Sequence, residues 1–113
     1  MKMYGIPTCG SVKKAKKFLN DKGIAYEFVD VKKTPVGCDT IDSWLTHVPM
    51  KQLFNAKGMK YRTLKLKQLN LDDTGKREWL CRENLLIKRP VIEHGGKVLV
   101  GFDEDLYSEI FDG

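Results

Sequence analysis

The sequence predicts an α/β fold: a four-stranded mixed sheet interrupted by an all-helical insertion. Three observations carry that prediction. Residues 1–31 read strand, helix, strand with short joints, a βαβ unit whose two strands run parallel with a right-handed crossover. Residues 39–83 show helical apolar spacing throughout. Two apolar runs, Val91 to His94 and Lys97 to Val100, flank Gly95-Gly96. That pair tolerates positive φ at both turn positions, so the runs form an antiparallel hairpin.

Each element has its own local reason. Met3 to Ile6 is apolar and strand-like, and Pro7 stops its hydrogen-bond ladder. A helical pattern begins at Ser11, carries Val12, Ala15, Phe18 and Leu19 on one face, and ends at Gly23. Ala25 to Val31 alternates apolar and charged residues, as a strand does, and Lys32 to Gly37 is a turn-rich loop containing Pro35. Asp39 or Thr40 caps a second helix with Ile41, Trp44, Leu45 and Val48 inward, and Pro49 ends it; Cys38 lies just outside. Met50 to Leu64 reads as a short helical pair broken at Asn55-Ala56-Lys57-Gly58, with Leu53 and Phe54 inward. After a loose apolar series, Leu66, Leu69 and Leu71, the acidic Asp72-Asp73-Thr74 starts a helix that runs to about Glu83 and buries Trp79, Leu80 and Cys81. A short helix from Asp103 through Leu106, Tyr107 and Ile110 closes the chain.

At 113 residues the chain predicts one domain, residues 1–113, with no internal repeat or linker. No apolar run approaches the roughly 18–20 residues of a membrane span, and Met1-Lys2-Met3-Tyr4 leads straight into a strand, which predicts no signal peptide. Three cysteines at no metal-ligand spacing argue against a disulfide scaffold and a zinc site, and point to the cytoplasm. The net charge of +5 suits an anionic small substrate, an acidic protein or nucleic acid. The basic residues are scattered and interrupted by acids, apart from Lys13, Lys14, Lys16 and Lys17 on the first helix. No nucleic-acid-binding motif accompanies them, so direct contact with nucleic acid is not expected.

The stretch with chemistry in it is Ile6-Pro7-Thr8-Cys9-Gly10-Ser11. Cys9 stands where a strand hands over to a helix, among backbone N–H groups without intrahelical acceptors. The positive end of the helix dipole favours an anion there, and the thiolate is the nucleophilic, redox-active form of cysteine. No Gly-rich phosphate loop is present, so no nucleotide cofactor is expected; nor is a metal or a flavin.

The order βαβ, helical middle, ββα is thioredoxin-like. Tyr4-Gly5-Ile6-Pro7-Thr8-Cys9, the lysine-rich helix, Phe54-Asn55, Gly58 with Tyr61-Arg62, Leu86-Ile87-Lys88-Arg89-Pro90 and Val100-Gly101-Phe102 together resemble the glutathione- and glutaredoxin-linked arsenate reductases, the ArsC/Spx group. The resemblance covers essentially the whole chain. It implies that Cys9 is the nucleophile, that Arg89 and Arg62 bind the oxyanion, and that Pro90 follows a cis bond beside the cysteine. Guanidinium groups suit this task because they offer planar, charge-assisted donors to a tetrahedral anion. The reductase family's third arginine has no counterpart in Lys97 to Phe102. Oxyanion binding then rests on fewer charges, helped by the backbone of Gly10 and Ser11 and by a lysine of the first helix.

The resemblance further implies a small oxyanion or thiol substrate, with glutathione as co-substrate and glutathione or glutaredoxin as partner. A second reading within the group is a Spx-like regulator that binds the RNA polymerase α-subunit without catalysis. Regulators of that kind often carry Cys-x-x-Cys, and here the fourth position is Val12. Cys38 and Cys81 are read as structural rather than as resolving thiols, Trp44 and Trp79 as core aromatics, and His47 and His94 as residues without an assigned task.

Overall fold

The computed structural model describes residues 1–112. Its elements in chain order are β1 (Lys2–Gly5), α1 (Gly10–Asp21), β2 (Glu27–Asp30), α2 (Cys38–Leu45), α3 (Met50–Leu53), α4 (Met59–Thr63), α5 (Asp73–Arg82), β3 (Val91–His94), β4 (Lys97–Val100) and α6 (Glu104–Asp112). Two 3₁₀ turns, Leu66–Leu69 and Asn84–Leu86, flank α5. The chain divides into two compact units. One comprises Met1–Asp30 and the chain from Arg89 onward, the other Val31–Lys88. The helical stretch expected at residues 39–83 lies inside the second unit.

The first unit is the mixed sheet in the order β2-β1-β3-β4. β1 runs parallel to β2, with Tyr4 beside Val29, and antiparallel to β3, with Tyr4 beside Val91. β3 and β4 form the hairpin, and Gly95 and Gly96 at its tip take φ of +54° and +77°. That left-handed pair suits a two-residue turn whose twist matches the strands. Val12, Ala15 and Leu19 of α1 are buried with Met3, Ile92, Leu99 and Tyr107. Phe18, the fourth residue of that face, is half-buried and meets Phe102, Tyr107 and Phe111 ring to ring. The four-lysine cluster is partly engaged within this unit: Lys16 sits over the Phe28 ring and Lys17 pairs with Asp21.

In the second unit α2 packs against α5, where Arg77 donates to both carboxylate oxygens of Asp42 at 2.7 and 2.8 Å. Ile41, Trp44, Leu53, Leu66 and Leu80 are fully or almost fully buried. Asn84 is the buried polar residue among them. Its side chain accepts from the Val36 N–H and donates to the Leu80 and Val36 carbonyls, fastening the loop before α2.

Four expectations are corrected here. Cys38 lies in α2, as its first residue, because Gly37 rather than Asp39 or Thr40 is the N-cap. Cys38 and Cys81 are joined in a disulfide with Cα atoms 5.1 Å apart, a spacing such a bond requires. Trp79 is half-buried rather than core, with the Arg82 guanidinium over its ring. The middle of the chain is not wholly helical. Phe54 forms an antiparallel bridge with Ile87, held by Asn55 N–H to Leu86 O and Lys88 N–H to Leu53 O, both 2.8 Å.

Candidate functional site

The site is assembled by strand register. In the β1/β3 pair, the last paired residues are Tyr4 and Val91. One step further along that antiparallel register sets Gly5 opposite Pro90, so the chain entering the Cys9 turn and the chain leaving Arg89 meet at the same end of the sheet. On the other side of β3, the Gly101 N–H donates to the Pro90 carbonyl at 2.8 Å. The Arg89–Pro90 peptide bond is cis. Pro90 is buried and Arg89 half-buried, with its Nε shielded from solvent.

Cys9 is the N-cap of α1, in extended conformation, and its N–H closes a turn onto the Ile6 carbonyl at 3.2 Å. The Cys9 carbonyl accepts the first helical bond, from Lys13 N–H at 3.0 Å. The amides of Gly10, Ser11 and Val12 therefore open the helix without acceptors inside it. The thiol is half-exposed and free, makes no capping hydrogen bond, and packs beside the apolar core under α1. Chemically, this is a half-exposed thiol at the positive end of a 12-residue helix.

Cys9, Gly10, Ser11, Arg89 and Pro90 thus share one unit and one end of its sheet. Arg62 belongs to the helical unit, exposed on α4, where it lines a cavity with Tyr61, Lys65 and Lys67. Reading residues alone missed two groups that hold this end of the sheet. Gly101, at φ +82°, turns the chain after β4, and the buried Tyr107 hydroxyl donates to its carbonyl at 2.7 Å. The only hint in the sequence was the Val100-Gly101-Phe102 run. Among the described residues no group of three His, Cys, Asp or Glu side chains is placed to hold a metal ion, and no helix is long and apolar enough to cross a membrane.

A mixed four-stranded sheet in the order β2-β1-β3-β4, with a cysteine at the N-cap position of the first helix, defines a thioredoxin-like protein. Residues 4–110 match the ArsC family model, and the chain belongs to that family. It is 34% identical to YusI of Bacillus subtilis (strain 168), covering 94% of this chain and 93% of that one. Among solved structures, the protein YffB superposes with a TM-score of 0.88 at 32% identity, over 96% of each chain. An arsenate reductase (ArsC) related protein from Brucella melitensis gives a TM-score of 0.75 at 38% identity, over 99% of this chain and 94% of that one.

Proposed function

We propose that the protein is a thiol-dependent oxidoreductase in which Cys9 is the nucleophile and Arg89 holds an oxyanion substrate over it. The observation that carries this reading is the register that brings the Cys9 turn and Arg89-Pro90 to one end of the sheet. Membership of the ArsC family and the likeness to an arsenate reductase related protein support it. In this reading the Cys9 thiolate attacks the arsenic of arsenate, an As–O bond breaks, and the displaced oxygen leaves as water. The amides of Gly10 and Ser11 and the Arg89 guanidinium take up the negative charge. Reduction of As(V) to As(III) then takes two electrons from two thiols, which end as a disulfide. Cys9 and glutathione supply them, and a further glutathione or glutaredoxin thiol frees Cys9 by exchange.

The test is the rate at which iodoacetamide labels Cys9, with and without arsenate. Arsenate is expected to slow labelling of the unaltered chain. Arg89→Lys keeps the charge but loses the planar fork, so protection should weaken; Arg89→Ala should abolish it. Equal protection in all three proteins would make Arg89 structural and defeat the reading. Turnover with arsenate, glutathione and glutaredoxin then measures the reaction itself.

A further inference from the structure

The helical unit holds two sulfur atoms that the Cys9 chemistry does not use. Cys38 and Cys81 are joined, and both residues are half-buried, within reach of a thiolate from solution. A bridge sunk in the core would be shielded from such attack.

The bridge is the middle one of three ties between the α2 segment and the α5 segment. On one side, the Asn84 side chain accepts from the Val36 N–H at 2.6 Å and donates to the Val36 carbonyl at 3.3 Å. On the other side, Arg77 holds both carboxylate oxygens of Asp42. The pairs 36–84, 38–81 and 42–77 follow one antiparallel register, so the outer ties bracket the bridge. Ile41 and Trp44 of α2 and Leu80 of α5 are fully buried. None of these interactions requires the sulfur–sulfur bond. When it opens, the thiols stay opposed, and reclosure is an intramolecular step at high effective concentration.

The two sulfurs are not equivalent. Cys38 is the first residue of α2, and the first helical bond runs from Ile41 N–H to the Gly37 carbonyl at 3.2 Å. The amides of Cys38, Asp39 and Thr40 therefore open the helix without acceptors inside it, and that end favours a thiolate. Cys81 is the last but one residue of α5, at the negative end of that helix, where a thiolate is disfavoured. The charged side chains around the pair offset one another. Arg77, bonded to Asp42, also feels the charges of Glu78 and Asp39, and the Arg82 guanidinium lies over the Trp79 ring. In thiol–disulfide exchange the thiol of lower pKa leaves faster, which directs attack to Cys81.

We infer that Cys38–Cys81 is a second redox centre, a reversible thiol–disulfide couple whose substrate is a small thiol or the disulfide of that thiol. A thiolate RS⁻ attacks Cys81 Sγ, the bond to Cys38 Sγ breaks, and Cys38 leaves as a thiolate and takes up a proton. A second RS⁻ attacks the R-bearing sulfur of the mixed disulfide, RSSR forms, and Cys81 is released and protonated. Two RSH are oxidised and the bridge is reduced by two electrons; RSSR drives the reverse. The couple is independent of the reaction at Cys9.

The test uses the full chain carrying Cys9→Ser, so that this pair alone reports. In mixtures of reduced and oxidised glutathione, the acid-quenched thiol count should follow one two-electron transition. The same curve should be reached from the oxidised and the reduced protein, with the helices retained by circular dichroism. Early in reduction, peptide mapping should find glutathione on Cys81. With Cys81→Ala or Cys38→Ala added, the pH profile of alkylation should give Cys38 about threefold or more the thiolate fraction of Cys81 at pH 7. Arg77→Gln removes one outer tie and should shift the transition towards the reduced form. A bridge that reacts with glutathione only as fast as the chain unfolds would be a structural staple and would overturn the inference. Glutathione recovered on Cys38, a reduced pair that does not reclose, or loss of the helices on reduction would overturn it as well.

Discussion

Gly5 and Val12 meet where no side chain fits between them. A Cβ on Gly5 would lie 2.6 Å from Val12 Cγ2, and Val12 is fully buried. The absence of that carbon lets α1 close onto the end of β1, and this closure places Cys9 at the helix start.

Gly5→Ala is therefore expected to destabilise the protein by about 1–3 kcal/mol, the range for overpacking a filled core. Val12→Ala should cost less in the Gly5→Ala background than in the unaltered chain, because the clash it relieves exists only there. Denaturant unfolding of the four proteins measures both effects. Strict additivity would show that α1 and β1 do not press on each other at this point.

Two tyrosines make stability sensitive to alkali. Burial holds the Tyr107 phenol above the ordinary tyrosine range. Tyr4 is raised by burial first, then by its 2.9 Å hydrogen bond to Glu93 and the charge of that carboxylate. A phenol whose folded value is raised keeps its proton after the unfolded chain has lost it. The folded state then binds more protons, and stability falls as pH rises above about 10. Tyr4→Phe with Tyr107→Phe should flatten that alkaline limb in unfolding curves recorded across pH 8–11. At neutral pH, Tyr107→Phe alone should cost about 1–3 kcal/mol, since the buried Gly101 carbonyl loses its donor. An unchanged alkaline limb in the double variant would place the titrating groups elsewhere.

The cysteines divide into a bonded pair and a free thiol. Without reductant, alkylation should mark Cys9, while peptide mapping recovers Cys38 linked to Cys81. The bridge spans a sequence separation of 43, for which the loop-entropy model gives about 4 kcal/mol. Reduction, or Cys38→Ala with Cys81→Ala, should lower unfolding stability by up to that amount. Recovery of Cys9 in a disulfide with either of the others would contradict this division.

The elements of this protein were legible because each rests on neighbours in the chain. The 3.6-residue spacing of Val12, Ala15 and Leu19 and the left-handed tolerance of Gly95-Gly96 are local properties, and so is Pro7 ending the first strand. The Cys9 turn was legible for the same reason, as a strand-to-helix handover within a few residues. What stayed hidden depends on residues far apart in sequence. Spacing gives no sign that Cys38 and Cys81 meet, because α2 and α5 must first pack together. Trp79 lies on a helical face whose apolar character suggested burial, yet only the packing of α5 decides which side of that face meets solvent. The same holds at the site. Residues alone marked Cys9 and the family resemblance marked Arg89, but antiparallel register brings their two chain segments to one end of the sheet, and the Tyr107 hydroxyl on Gly101 helps hold that end. Local preference acts through backbone geometry over a few residues, whereas register, disulfide partner and exposure are settled only when distant surfaces bury one another.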